Sequence, residues 1–311
     1  MSVTATAPRK RPIRTHIFVF LAPAVIVYTL FMVIPLIDSL RLSFFTTNVN
    51  NQEVFNGVQN YQTLLTDPQY APAFFNALGN NLKFFIIHML VQNPIGLFLA
   101  GLLAVGGRAR SIYRTLIFMP TVLSVVIIGF IWQLILNPLW GVTEGALKAI
   151  GLKQLYQPWL GLEPTALTTL SLISVWQFVG IPMMLFYTAL IGIPEELIEA
   201  ARVDGANAWH VFWRIKFPLI LPTVGIVTIL TFVGNFNAFD LIYSVKGALA
   251  GPNFASDIMG TLFYRTFFGF QLQLGNPSMG ATVATMMFVI ILTGVLIYMF
   301  AWQRRVTTYE L

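Results

Sequence analysis

A polar segment interrupts an otherwise apolar sequence, and its residue types suit a docking site. Residues 192–217 read GIPEELIEAARVDGANAWHVFWRIKF. Pro194 suits the first turn of a helix, the two glutamates after it favour the positive helix end, and Gly205 is a natural helix stop. A second amphipathic helix is predicted from about Asn207. The segment therefore predicts two short helices at a membrane surface, which either dock a partner protein or only join two spans.

A second group of polar residues lies inside apolar sequence. Four fall within residues 219–245 and one lies further upstream: Asn235, Asn237, Asp240, Tyr243 and Gln177. The spacing of Asn237, Asp240 and Ser244 predicts one helix face. Amides, a carboxylate and an aromatic ring together suit the binding of sugar hydroxyls. Because such side chains also hydrogen bond between membrane helices, a structural role stays open, and it is favoured for Gln92 and Asn93.

No catalytic or nucleotide-binding motif is visible. The chain has no cysteine, and its three histidines are far apart in the sequence. Neither a GxxxxGK[ST] phosphate loop nor an HExxH metal motif occurs. The sequence therefore indicates that this chain is not an enzyme and that it binds no cofactor or metal itself.

Six apolar stretches must position these residues. The chain has 311 residues, of which 57% are hydrophobic and only 10% are charged, whereas a soluble domain carries about 25% charged residues. Each stretch is long enough to cross a bilayer. The sequence therefore predicts an all-α polytopic membrane protein of six transmembrane helices, and it excludes a soluble enzyme, a disordered chain and a disulfide scaffold. The predicted spans are 17–37, 82–105, 115–136, 166–191, 219–245 and 279–302.

The basic residues predict the orientation of these spans. With six spans, 12 of the 18 lysines and arginines fall on the side that holds both termini, and 6 fall on the other side. The positive-inside rule then places both termini and the 192–217 loop in the cytoplasm. We expect residues 1–16 to form a basic cytoplasmic N-terminus ahead of a membrane domain at 17–311. The net charge of +6 is thus a topology signal, and it calls for no nucleic-acid partner.

The 192–217 loop and the segment just after it resemble the signature of binding-protein-dependent ABC importer permeases. That signature is Glu-Ala-Ala, then Gly, then Ile-x-Leu-Pro. Phe217 stands where the family has Leu. The matching residues are Glu199, Ala200, Ala201, Gly205, Ile215 and Pro218.

The resemblance extends over nearly the whole chain. It is most similar to the carbohydrate-uptake branch, of the maltose and glycerol-3-phosphate type, and it implies the type I ABC importer permease fold. Residues 247–273 resemble the family's loop that approaches a binding protein. The other matching segments are 20–23, 34–35, 42–44, 56–61, 67–68, 76–81, 235–240 and 251–252.

The family resemblance implies the partners and the roles of the loop residues. Two separate ATPase subunits would use ATP and Mg²⁺, and each would dock on such a loop. The coupling helix would include Asp204 and end at Gly205. Glu199 would contact the ATPase or cap the helix, while Ala200 and Ala201 would allow close approach. A second homologous permease and a periplasmic or lipid-anchored solute-binding protein would complete the complex in a bacterial inner membrane.

Other function classes remain as alternatives. An importer permease for a polyamine, glycerol-3-phosphate or an oxyanion would share the same loop. A secondary transporter working alone is less favoured, because the loop matches the importer signature and the sequence shows no pair of inverted repeats with broken helices. A membrane enzyme would need a nucleophile, a base or a metal cluster within the spans, and the sequence offers none.

Overall fold

The computed structural model describes residues 15–48, 52–271 and 273–304, and nearly all of its regular structure is helical. Most of the predicted N-terminal segment 1–16 lies outside the described residues. Four helical stretches are long and apolar enough to span a membrane, and two bent helix pairs bring the number to six. The prediction of six spans is therefore confirmed.

The first two spans run without a sharp bend. The first joins α1 (Thr15–Tyr28) to α2 (Ile34–Leu42) through a π-helical turn at Thr29–Val33. Its side chains are largely exposed, and Phe20, for example, is 81% exposed. In a membrane these side chains would contact lipid or another chain. Before the second span come strands β1 (Phe45–Thr47) and β2 (Glu53–Phe55) and helix α3 (Gln59–Thr66). The second span comprises α4 (Ala71–Ile87), a π-helical turn at His88–Gln92, and α5 (Asn93–Ala104).

The third and fourth spans are each broken into two helices, which the sequence patterns did not indicate. α6 (Arg110–Val122) and α7 (Val125–Ile135) meet at 95° because Leu123 and Ser124 adopt extended backbone. α9 (Glu163–Phe178) and α10 (Gly180–Ile191) meet at 43°. Pro182 has no N–H to donate to the carbonyl of Phe178, which accounts for a bend at this place. Helix α8 (Val142–Ala149) and a 3₁₀ turn at Lys153–Leu155 lie between these two spans.

The 192–217 loop contains α11 (Glu195–Val203), α12 (Ala208–Val211) and a π-helical turn at Phe212–Lys216. A short α13 (Phe217–Leu219) leads into α14 (Leu221–Phe236), which is followed by α15 (Asp240–Lys246) in the same span. Then come α16 (Met259–Phe268), β3 (Gly269–Phe270) and β4 (Gln273–Leu274). The last span is α17 (Pro277–Ile297), extended by a π-helical turn at Tyr298–Gln303. β1 pairs with β2, and β3 pairs with β4, each in an antiparallel hairpin.

The broken spans pack closely where they bend. A Cβ added at Gly180 would lie 2.9 Å from the Cα of Phe118, so only glycine allows α10 to meet α6 at this point. One apolar cluster joins α5, α10 and the start of α14 to both ends of the 192–217 loop. We call it the anchor cluster, and its buried members are Ala100, Leu103, Met183, Phe186, Tyr187, Leu190, Ile193, Ile220 and Val227.

Candidate functional site

A cavity of about 450 Å³ opens beside α14, and we call it the α14 cavity. Its walls come from α4, α7, α9, α10, α14, α15 and the π-helical turn of the second span. Three of the predicted substrate-binding residues line it: Asn235, Asn237 and Asp240. Asp240 is the one charged side chain among the residues that line the cavity.

Asn237 and Asp240 reach the cavity through a break in the span. α14 ends at Phe236 and α15 begins at Asp240, so Asn237, Asp240 and Ser244 do not share one continuous helix face, and that prediction was wrong. Both Asn237 and Asp240 are exposed. The Asn237 side-chain nitrogen donates a hydrogen bond to the Val233 carbonyl at 3.0 Å, while the carboxylate of Asp240 lies in the first turn of α15, where a helix favours negative charge.

Two buried side-chain oxygens around this cavity have no hydrogen-bond partner in the described structure. Asn235 donates to the Thr231 carbonyl at 2.6 Å, but its side-chain oxygen Oδ1 accepts nothing. Gln92 also lines the cavity, and its side-chain oxygen Oε1 is likewise unpartnered. Buried polar atoms are normally satisfied, so these two acceptors are available to a ligand that carries hydrogen-bond donors.

His88 and Ser174 add a polar pair to the same cavity, and sequence reasoning missed them. The His88 Nδ1 lies 2.8 Å from the Phe84 carbonyl, and its Nε2 lies 3.0 Å from the Ser174 hydroxyl. Because a carbonyl only accepts, Nδ1 carries a hydrogen, and a neutral ring then accepts from Ser174 through Nε2. A histidine and a serine within apolar spans were the available signal, but their pairing across 86 positions is not readable from spacing.

The structure does not bring Gln177 and Tyr243 to the lining of the cavity. Gln177 is fully buried, and its side-chain amide nitrogen donates to the Leu123 carbonyl at 3.1 Å, while its backbone carbonyl accepts from the Thr121 hydroxyl at 2.9 Å. These two bonds hold the break in the third span against the bend in the fourth. Tyr243 stacks on Phe239, a cavity residue, with ring centroids 4.9 Å apart.

Asn93 has the structural role that the sequence favoured, whereas Gln92 lines the cavity. The Asn93 side-chain nitrogen lies 3.2 Å from the Thr231 hydroxyl, and so it joins α5 to α14. This contact stabilises the helix pair that forms one wall of the cavity. The structural role that was expected for Gln92 is therefore incomplete, because its oxygen remains free.

Asparagines of α4 connect the α14 cavity to the segment before α16. The Asn81 amide donates to the Asn235 carbonyl at 2.9 Å and accepts from the Met259 N–H at 2.7 Å. Two other asparagines of α4 contact the same segment. The Asn76 amide donates to the Phe254 carbonyl at 2.9 Å, and the Asn80 amide donates to the Asp257 carbonyl at 2.8 Å. α4 therefore fixes the backbone of 254–259 against the cavity wall.

A buried ion pair gives that segment its shape. The Arg265 guanidinium lies 2.7 Å from the Asp257 carboxylate, and both side chains are almost fully buried. Thr261 donates to the same carboxylate at 2.7 Å, and Arg265 also donates to the Ala248 carbonyl at 2.8 Å. The two buried charges compensate each other, and both side chains have further hydrogen-bond partners.

The 192–217 loop ends its first helix as predicted. Gly205 has φ of +81°, a conformation that favours glycine. Its N–H donates to the Arg202 carbonyl at 3.0 Å, and the Ala206 N–H donates to the Ala201 carbonyl at 2.9 Å. This is the Schellman pattern of a helix C-terminus. Asn207 then caps α12 by accepting the His210 N–H at 2.9 Å.

The exposed face of α11 holds the predicted coupling residues. Glu199, Ala200 and Asp204 are exposed, Ala201 is half-buried, and Val203 is 87% exposed. Within the described residues the Glu199 side chain makes no hydrogen bond or ion pair, and backbone hydrogen bonds form the cap at the end of α11. Ile193 and Ile220 fix both ends of the loop in the anchor cluster.

Comparison with known proteins identifies the family. Residues 92–307 match the family described as the binding-protein-dependent transport system inner membrane component, and this chain belongs to it. The chain is 35% identical to the probable ABC transporter permease protein YurN of Bacillus subtilis, over 86% of this chain and 89% of that protein.

Two further relatives agree with this assignment. The chain is 30% identical to AmyD of Thermoanaerobacterium thermosulfurigenes, named as a probable starch degradation products transport system permease, over 93% and 94% of the two chains. Its fold superposes on a chain from a bacterial ABC transporter that imports the acidic polysaccharide alginate, with a TM-score of 0.79 at 22% identity, over 94% and 96%. The prediction of an importer permease fold is confirmed.

Replacing Asn81 tests the connection between the cavity and the segment before α16. Asn81→Ala removes the partners of two backbone groups, and each unsatisfied buried group costs about 1–3 kcal/mol. We expect a clear fall in the thermal unfolding midpoint of the detergent-purified protein. Asn76→Ala, which loses one exposed hydrogen bond, should change stability by less than about 0.5 kcal/mol. Equal midpoints for the two variants would contradict the proposed connection.

Proposed function

We propose that this chain is one permease subunit of an ATP-driven sugar importer. It would form half of the translocation pathway in a bacterial inner membrane, with both termini and the 192–217 loop in the cytoplasm. The observation that carries the proposal is a cavity within the membrane spans that several polar side chains line, joined through the anchor cluster to an exposed and rigidly capped helix. The name of the relative AmyD supports a carbohydrate as the solute.

The chemistry of the α14 cavity favours a neutral hydroxylated solute. The free oxygens of Asn235 and Gln92 accept hydrogen bonds, which sugar hydroxyls donate. The ring of Phe239 offers an apolar face for a sugar to stack on. No Lys or Arg is among the residues lining the cavity, which disfavours glycerol-3-phosphate or an oxyanion. A polyamine would find a single carboxylate, that of Asp240.

The exposed α11 would be the coupling element. Two ATPase subunits would bind ATP with Mg²⁺, one of them holding α11 by Glu199, Ala200 and Asp204. Because Ile193 and Ile220 lie in the anchor cluster, movement of α11 would be passed to α5, α10 and α14. α10 and α14 both line the cavity, so the same movement would change access to it.

Two further partners complete the proposal. A second homologous permease would cover the open side of the α14 cavity and the exposed first span. A periplasmic or lipid-anchored solute-binding protein would dock at the opposite end from the 192–217 loop, where the buried Asp257–Arg265 pair stiffens the segment before α16. The asparagines of α4 would then link that docking surface to the cavity wall.

Substitution of Gly205 tests the coupling role. Gly205→Val places a β-branched residue at a positive φ, which strains the end of α11. We expect uptake by the reconstituted complex to fall at least tenfold while the subunit remains in the membrane. Gly205→Asn is the matched control, because Asn tolerates this conformation, and it should keep most of the uptake. Normal uptake by Gly205→Val would contradict the role.

Substitution of Asn237 and Asp240 tests the cavity as the solute path. The double variant Asn237→Ala/Asp240→Ala should reduce uptake several-fold while basal ATPase activity of the complex stays within about twofold, because neither residue lies near the loop. Thr228→Ala is the control, since Thr228 lies on α14 outside the cavity lining. Uptake equal to that of the unsubstituted complex would contradict the assignment, and an equal loss of both activities would indicate a folding defect.

A further inference from the structure

A second cavity, of about 700 Å³, lies between α5 and the second half of the 192–217 loop. We call it the α5 groove. Its α5 wall is apolar and includes Phe98, Leu102 and Val105, while its loop wall carries Trp209 and Trp213. Two charged side chains line it, Arg202 and Lys216, and both are cations. We propose that the α5 groove binds one anionic glycerophospholipid from the adjacent membrane leaflet.

The two cations of the groove are available for an anion. Neither Arg202 nor Lys216 forms an ion pair within the part of the chain that the structure describes. The acidic residues of α11 do not line the groove. A phosphodiester between the guanidinium of Arg202 and the ammonium of Lys216 would therefore meet two positive charges and no negative one, as in the basic pockets beside membrane helices that bind anionic headgroups.

The groove changes along its length from an apolar wall to a polar end, as a lipid changes from its acyl chains to its headgroup. Phe98, near the C-terminal end of the span 71–104, is 64% exposed, and Val105, just after that span, is 87% exposed. Trp209 and Trp213 meet edge to face at 5.5 Å, and Trp209 is 69% exposed. Tryptophan is enriched where acyl chains meet headgroups. Acyl chains would thus lie along α5, and the headgroup would lie at the level of the loop.

A lipid fits this position better than a protein does. Phe98 and Leu102 belong to a helix that is long and apolar enough to span a membrane, so their exposed apolar side chains suit contact with acyl chains better than contact with a water-soluble ATPase. The exposed residues of α11, which we assign to the ATPase, include Glu199 and Asp204, and neither lines the groove. A bound phospholipid would therefore touch the loop beside the ATPase contact and would steady the second half of the loop.

The test measures tryptophan quenching in the purified full complex, reconstituted in vesicles. Brominated phosphatidylglycerol and brominated phosphatidylcholine are compared as quenchers. The signal of the groove is isolated by subtracting the Trp209→Phe/Trp213→Phe variant, because the chain has seven tryptophans. We expect phosphatidylglycerol to quench this signal at a several-fold lower mole fraction, since one cation near an anionic lipid is worth about a fivefold preference.

Charge variants decide between a specific site and general lipid contact. Lys216→Gln and Arg202→Gln, made singly and together, should reduce the preference for phosphatidylglycerol stepwise towards one. Arg214→Gln is the matched control, because Arg214 is exposed on the same turn of the loop but does not line the groove. If the double variant does not assemble, the two single variants still have to show the reduction.

Three outcomes would overturn the proposal. Equal quenching by the two lipids would show that no anionic headgroup is selected. Absence of quenching by either lipid would show that another subunit covers the groove. An unchanged preference in both single variants would show that Arg202 and Lys216 do not form the site. None of these outcomes depends on which solute is transported, so failure of the lipid proposal and failure of the proposed function can be distinguished.

Discussion

A break in a membrane helix leaves backbone N–H and C=O groups without partners in the helix, at a place where water cannot hydrogen bond to them. How the protein satisfies these groups determines where its spans break and how they pack. The extended backbone at Leu123 leaves a carbonyl, and Gln177 donates to it from the neighbouring span. The Thr121 hydroxyl donates in turn to the backbone carbonyl of Gln177. Asn81 donates to the Asn235 carbonyl close to the end of α14. Buried amides therefore decide where the spans can bend and which spans lie side by side.

The breaks have a functional consequence because two of them border the same space. The bend between α9 and α10 places Phe178 and Pro182 in the wall of the α14 cavity, and the interruption after α14 places Asn237 and Asp240 there. The anchor cluster then ties this wall to the 192–217 loop through Ile193 and Ile220. In the proposed function, a change at the loop is thus passed to the cavity through packed side chains rather than through flexible sequence.

Local patterns in the sequence predicted the features that depend on local physics. Hydrophobic length predicted six spans, and the glycine at 205 predicted the end of α11, since one residue in a left-handed conformation determines that end. Non-local pairings were not predictable from spacing. Gln177 resembled a ligand residue, but its partner lies 54 positions away, and the pairing of His88 with Ser174 joins two different spans. The break after Phe236 also separated residues that a continuous helix would have aligned.

In the proposed function the 192–217 loop and the α14 cavity move together. The accessibility of position 237 in different nucleotide states measures this movement. The chain has no cysteine, so Asn237→Cys provides a single reactive thiol in this subunit. A membrane-impermeant maleimide is applied to the reconstituted complex, and labelling of the Asn237 peptide is followed by mass spectrometry. Ala166→Cys, at a fully buried position outside the cavity lining, is the control. We expect trapping with ATP and vanadate to change the labelling rate at 237 several-fold and to leave 166 unlabelled. The same rate at 237 in every nucleotide state would contradict it.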